Sequence, residues 1–277
     1  MAAVVNDGVY VSASSLRLLQ DCPRAFSYKY ISGHKPEDVG SALVLGKACH
    51  AALADWYQRL RDGSPSPSID ELVAIASLSI EEARKGPTPI ATDEDEPDLV
   101  AEATRMLRAF LVSNPYRPTR VLAVEMPFTV RVGRHPVTGE RFEFEESIAG
   151  VLDLVAEDDE GLIVIDHKVT KRMPAVDGGV DLQLALYAVA VEELYRPGKP
   201  VRLAHHVLSR TKVPRVAMRE IVRSPHDTAE ALEAVASGVE LIHVAVGHVR
   251  PGRLLGRHRS WKCGSCSYRR RCGSDRT

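Results

Sequence analysis

Two short stretches of this sequence place acids and a lysine where they could act on a phosphate ester. They are Gly150-Val-Leu-Asp153 and, after a turn, Leu162-Ile-Val-Ile-Asp166-His-Lys168. Alternate residues of an extended strand share a face, so Leu162, Val164, Asp166 and Lys168 point one way and Ile163, Ile165 and His167 the other. The strand is apolar on both faces until its end, where an acid and a lysine emerge together. Two carboxylates at the ends of neighbouring strands can hold Mg²⁺ or Mn²⁺, hard cations that prefer oxygen ligands. A lysine beside them can orient an attacking water and stabilise negative charge developing on a phosphate. Read alone, Asp-x-Lys is equally the solvated end of a strand, with Asp153 in an unrelated turn.

Two further features bear on that choice. Gly46-Lys-Ala-Cys-His50 puts a histidine one turn after a glycine in a helical stretch. Gln183 and Tyr187 lie four apart in a later helix and so share a face, which can look back across the strand end. Glu125 stands near the start of an earlier strand and is read as structural, with an accessory acid as the alternative.

The cysteines form a second constellation. Cys263-x2-Cys266-x5-Cys272 closes the chain and Cys22, followed by Pro23, lies near its start. A C-x2-C step suits chelation because two thiolates reach one centre across a tight turn. Zinc is the general reading of such spacing, with Cys22 or a histidine such as His258 as fourth ligand. Cys49, beside His50, does not fit the set and reads as a packed thiol.

Positioning these residues takes both helices and strands. Ser12 or Ser14 caps a first helix, and Pro23 begins a second. Helical spacing predicts helices over 43–61, 69–85 and 99–113, with a proline-rich acidic loop at 86–97. After Pro118 the period changes to 2, which predicts strands over 121–132, 141–148, 151–156 and 162–169, with turns at 133–139 and 158–161. A helix over 181–195, strands over 201–209 and 215–221 and a helix over 227–246 complete the pattern. This is an α/β or α+β sheet domain, not a doubly wound alternation.

The 277 residues are 44% hydrophobic and 26% charged, as in an ordinary soluble globular protein, with a net charge of −1. Any nucleic-acid surface is therefore local. From Arg250 onward nine basic residues face a single acid, Asp275, whereas acids gather at 93–96. The first residues lack a signal-peptide pattern, and no apolar stretch is long enough to span a bilayer. A reducing cytoplasm is the expectation, where clustered cysteines more often bind metal than pair as disulfides.

The order Gly-x3-His, Gly-x2-Asp, Asp-x-Lys, Gln-x3-Tyr resembles the RecB-like branch of the PD-(D/E)XK nuclease superfamily, over nearly the whole chain. The resemblance implies a restriction-endonuclease-like mixed sheet flanked by helices. It divides the chain into an N-terminal helical region (1–118), a nuclease core (119–249) and a basic cysteine segment (250–277). By the same resemblance His50, Asp153, Asp166 and the His167 carbonyl are metal ligands. Lys168 positions the nucleophilic water, and Gln183 and Tyr187 support the site and contact DNA, with Arg269, Arg270 and Arg271 as further DNA contacts. Asp166 stands where many members have glutamate. The cysteine pattern resembles the 4Fe-4S staple of AddB-type and CRISPR-adaptation nucleases, with Cys22, Cys263, Cys266 and Cys272 as ligands joining the two ends of the chain. The implied activity is Mg²⁺- or Mn²⁺-dependent DNA cleavage, exonucleolytic, on single-stranded ends with 5′→3′ polarity. No G-x4-G-K-[ST] motif is present, so unwinding would need a helicase or recombination partner. The other readings are a CRISPR-adaptation trimming nuclease and a non-catalytic DNA-binding protein on the same fold.

Overall fold

The computed structural model describes residues 11–91, 98–113, 115–134, 138–171, 181–199, 201–221, 224–248 and 254–274. The acidic run at 93–96, much of the turn expected at 133–139, and Arg250, Arg253 and Arg276 lie outside them.

Helix α1 (Ala13–Asp21) starts at Ser12, whose hydroxyl accepts the Ser15 N–H while the Ser15 hydroxyl accepts the Ser12 N–H. Pro23 opens α2 (Pro23–Phe26), where a missing N–H costs nothing, and the chain continues through a π-helical turn, Ser27–Ile31. A short parallel pair, β1 (Val39–Gly40) with β2 (Ile90–Ala91), brackets α3 (Ser41–Arg61) and α4 (Ile69–Lys85). Glu71 closes a capping box on Ser68 at the start of α4, and Asp98 caps α5 (Leu99–Val112) by accepting two backbone N–H groups.

The sheet that follows runs β3 (Arg120–Arg134), β4 (Arg141–Asp158), β5 (Gly161–Thr170), β6 (Arg202–Ser209) and β7 (Val216–Glu220), in that spatial order. Only the β5–β6 pair is parallel. Its connection carries α6 (Leu182–Tyr195), as parallel neighbours require a crossover. Helix α7 (Pro225–His248), a 3₁₀ turn at Trp261–Ser265 and α8 (Arg269–Ser274) complete the described chain.

One expectation needs correcting. The stretches 141–148 and 151–156 are not two strands but one, β4, which continues through Ala149-Gly150. Gly150 is required there by packing. A Cβ at this position would lie 2.7 Å from Cε1 of Phe128, which lies across the strand from it.

The sheet is covered on both faces. Helices α3, α4 and α5 pack on Leu154, Ala156, Ile163, Ile165, Ala204 and Leu208. Helices α1, α6 and α7 pack on Leu152, Val155, Leu162, Val164 and Leu203. Strand β5 is therefore buried on both sides from Leu162 to His167, the pattern of a central strand in a two-sided sheet. Helix α6 is enclosed all round from Leu184 to Val191, which is why its sequence carries no clear apolar stripe.

The chain ends meet through ordinary contacts. Lys262 pairs with Asp21 at 2.6 Å, and the Glu37 carboxylate accepts the backbone N–H groups of Arg270 and Arg271 at 3.0 and 2.7 Å. The Tyr268 ring lies 5.6 Å from that of Tyr28, and its hydroxyl donates to the His34 carbonyl. Among the described residues, no helix is long and apolar enough to cross a membrane.

Candidate active site

The site begins where β4 and β5 stop pairing. Their antiparallel ladder runs from Asp158 opposite Gly161 to Leu154 opposite Ile165 and goes no further. The next residues, Asp153 and Asp166, sit where the strands part. In a strand the N–H and C=O of one residue point to the same neighbour, and both groups of His167 have lost their ladder partners on the β4 side. Asp153 Oδ2 accepts the His167 N–H at 2.8 Å, and His50 Nε2 lies 2.7 Å from the His167 carbonyl oxygen. Two side chains thus take over the backbone bonds that the sheet gave up.

His50 comes from α3 on one face of the sheet, and its Nδ1 lies 3.5 Å from Asp153 Oδ2 and 3.9 Å from Glu125 Oε1. Ligand atoms of His50, Glu125 and Asp153 all fall within 4.8 Å of one another, close enough to share one cation. Glu125, read from the sequence as structural, is held there by an unusual backbone. Its φ of +47° is left-handed within β3, a conformation that costs a residue with a Cβ about 1–2 kcal/mol. Sequence offered no signal for that.

On the other face, Lys168 Nζ lies 2.7 Å from Asp166 Oδ2 and donates to Gln183 Oε1 at 3.0 Å. Gln183 Nε2 in turn donates to the Tyr187 hydroxyl at 2.7 Å, and the Tyr187 ring packs edge-on against Phe128. The alternation read from β5 and the spacing of Gln183 and Tyr187 on α6 thus meet in one chain of contacts. Asp166 points towards Lys168 and does not join the three-residue group around His50. Its Oδ2 is buried and, despite the nearby ammonium, outside hydrogen-bonding geometry with any partner.

Two residues not anticipated from the sequence extend this network. Parallel register sets His205 of β6 beside Asp166, and its Nε2 lies 4.0 Å from Asp166 Oδ2 and 3.0 Å from Asp181 Oδ2. Asp181 is the cap of α6. Burial works to raise its carboxyl, but the His205 and Leu184 bonds and the charges of His205 and Lys168 outweigh it and hold it well below the usual range. The next pair in register, His167 and His206, faces the other way. Their Nδ1 atoms approach to 3.2 Å, and His167 stacks on Tyr57 of α3. Burial keeps both imidazoles neutral, with His206 pushed down to about 4.

The carboxylates are crowded and dry. Burial, with Asp166 and Glu125 nearby, pushes the Asp153 carboxyl up to about 7 against the pull of His50 and the His167 N–H. Burial also raises Glu125. The Glu125 and Asp153 carboxylates, the His50 imidazole and the His167 carbonyl are a donor set that suits Mg²⁺ or Mn²⁺. The residues present fit such an ion.

A profile of the PD-(D/E)XK nuclease superfamily matches residues 10–273. The chain belongs to that superfamily. Among solved structures, it is similar to a protein from Eubacterium rectale assigned as an exonuclease, at 14% identity over 91% of each chain and a TM-score of 0.53, a likeness of fold. No curated protein matches.

The cysteines lie apart from this centre. Cys22, Cys263, Cys266 and Cys272 line one cavity of about 670 Å³ between the chain ends, and none is in a disulfide. Burial and the neighbouring thiols raise Cys266 against the pull of a Tyr268 backbone bond. His258 lines the same cavity, with Nδ1 3.1 Å from the Asp21 carbonyl oxygen. Cys49 is instead fully buried in the core under α3, its thiol pushed up to about 12 by burial. Arg269, Arg270 and Arg271 are exposed on α8.

Two predictions follow from the electrostatics and the strain. An unfolded aspartate ionises near 3.9, so in metal-free protein Asp153 holds a proton that the unfolded chain has lost. The contribution of this group to stability is then full below about pH 4 and is lost as pH rises towards about 7. Asp153→Asn keeps an acceptor for the His167 N–H, and its melting temperature in EDTA should fall less over that range than that of wild type. Parallel curves would refute the shifted carboxyl. Glu125→Gly relieves the left-handed strain and removes an acid from the site. It should raise stability by about 1–2 kcal/mol in denaturant titration while weakening Mn²⁺ binding measured by calorimetry.

Proposed function

We propose that the chain is a divalent-metal-dependent DNA exonuclease of the RecB-like branch, acting on single-stranded ends in recombination, repair or phage DNA processing. The observation that carries this reading is the meeting of His50, Asp153 and the His167 carbonyl on one side of the β5 end with the Asp166–Lys168–Gln183–Tyr187 chain on the other. The preference for single strands and for 5′→3′ polarity rests on the resemblance to RecB-like nucleases alone. Exonucleolytic action is also in keeping with the assignment of the Eubacterium rectale protein.

His50, Asp153, Glu125 and the His167 carbonyl would hold the ion, and Asp166, read from the motif order as a further ligand, would have to turn from Lys168 to reach it. When bound, Mg²⁺ or Mn²⁺ polarises a phosphoryl oxygen and makes water a stronger nucleophile at neutral pH. Lys168, fixed between Asp166 and the Gln183 carbonyl, orients the attacking water and sets a positive charge beside the charge that builds on the phosphate. Gln183 donates to the Tyr187 oxygen, so the phenolic proton points elsewhere and is available to a phosphate oxygen. Burial, with the carboxylates adding to it, raises Tyr187 and keeps that proton in place.

Lys168→Ala should slow Mg²⁺-dependent degradation of end-labelled DNA by about 10²–10³-fold with an unchanged circular dichroism spectrum. A rate equal to wild type would rule out this centre. The same assay with 5′- and 3′-labelled single and double strands reads polarity and strand preference directly.

The cysteine cavity is proposed to hold a 4Fe-4S cluster. Support comes from four thiols lining one cavity, in the spacing of the resembling nucleases, which is the number of thiolates a 4Fe-4S cluster takes. The anaerobically purified protein should be brown and contain iron and acid-labile sulfide, and Cys266→Ser should lose both along with several degrees of melting temperature. Stoichiometric zinc without iron would overturn the cluster.

A further inference from the structure

The chain has two tryptophans, and the structure treats them in opposite ways. Trp56 is 5% exposed, packed edge-on against Phe110 with the Arg117 guanidinium over its ring. Trp261 is 85% exposed, the highest exposure but one among the large apolar side chains described. A ring of that size left in water forfeits a large burial energy, so an instance set among mostly basic neighbours invites an occupant.

The setting of Trp261 is fixed and cationic. Its 3₁₀ turn is held by the Cys263 N–H donating to the Ser260 carbonyl, by the Cys266 N–H donating to the Cys263 carbonyl and by Arg269 Nη1 donating to the Gly264 carbonyl. Lys262 anchors the turn to Asp21, and its ammonium lies 5.9 Å from the Trp261 ring centroid. Arg259 and Arg269 are exposed and line the same cavity as Trp261, Arg270 is exposed on α8, and the described part of this segment, 254–274, contains no acid, the acids near it being Asp21, paired with Lys262, and Glu37, bound to the start of α8. An occupant must therefore offer a flat apolar face to the ring and negative charge to its surroundings. An unpaired nucleotide does both, with its base on the ring and its phosphate towards the cations. A duplex hides its base faces inside the stack and meets only half of the demand. Because the turn is fixed beforehand, little ordering cost opposes binding.

On these grounds we propose that the turn Trp261–Ser265 is a stacking platform for single-stranded DNA, with one base on Trp261 and the flanking phosphates on Arg259, Arg269 and Arg270. This rests on the reading of DNA as substrate, and it identifies the unpaired strand as what the C-terminal segment binds.

The test is fluorescence anisotropy with a labelled oligothymidylate and a labelled duplex hairpin, using the full chain carrying Lys168→Ala so that neither is cut. Trp261→Ala should weaken oligothymidylate binding about 5- to 150-fold, the range for loss of one base–aromatic stack, and leave the duplex within about two-fold. Trp261→Phe should recover part of the loss. Arg269→Ala should instead flatten the dependence of log Kd on log salt by roughly one phosphate contact, which Trp261→Ala leaves alone. Equal loss on both substrates, or no loss on either, overturns the platform and leaves the ring for a protein partner. A wild-type chain that binds oligothymidylate through Trp261 but cleaves nothing with Mg²⁺ or Mn²⁺ upholds the platform and sinks the nuclease reading.

Discussion

The parting of β4 and β5 is the constraint on which the site depends. A β-ladder normally satisfies each backbone group in turn, and a buried N–H or C=O left without a partner is costly. Here the ladder stops at Leu154 and Ile165, in the interior, one step before the two acids. The arrangement is tolerable because Asp153 accepts the His167 N–H and His50 takes the His167 carbonyl. The same two side chains that repair the sheet are therefore the ones offered to a cation. Structure and chemistry share their hydrogen bonds, so a change at Asp153 or His50 that removes the polar atom disturbs both.

That gap requires helices on both faces. His50 reaches it from α3, while Gln183 and Tyr187 reach it from α6. Each helix is tied to the β5–β6 pair by a specific side-chain contact as well as by apolar packing. Helix α3 stacks Tyr57 on His167, and α6 anchors its cap Asp181 to His205, the register partner of Asp166. The parallel β5–β6 pair sets two histidines beside the acid and its neighbour, one serving each face. The acids remain unfavourably buried and crowded, and burial first, then Asp166 and Glu125, raises Asp153. A divalent ion would relieve that crowding, which is a physical reason for the site to bind one.

Much of this was legible from residue order. The alternation along β5 correctly assigned Asp166 and Lys168 to one face and His167 to the other, because a strand's period of two leaves no alternative. Spacing four apart on α6 put Gln183 and Tyr187 together for an equally rigid reason. What escaped was whatever depends on register or on an irregular backbone. His205 and Asp181 matter only because β6 pairs in parallel with β5 at a particular offset, which pattern cannot specify. Glu125 depends on a left-handed residue inside a strand, a conformation that sequence argues against. The continuity of β4 was missed because Ala149-Gly150 looks like a break, whereas the glycine makes room for Phe128.

The chain ends bear on the same site through the N-terminal helices. Segment 13–31 is two-sided: Ala25 and Tyr28 pack on Tyr268 of the cysteine segment, while Phe26 and Tyr30 enter the core that holds Phe128 and Tyr187. Contacts such as Lys262 with Asp21 and Glu37 with the start of α8 already dock the two ends, so a metal at the cysteines need not create the junction. Its effect would be to tighten it, adding binding free energy to a contact that polar bonds at an exposed surface hold only weakly. Because Phe26 and Tyr30 share their core with Tyr187, loosening the outer face of these helices would reduce packing order on the inner one. The cysteine site and the carboxylate site are in this sense coupled through one pair of short helices, without any contact between the two centres being required.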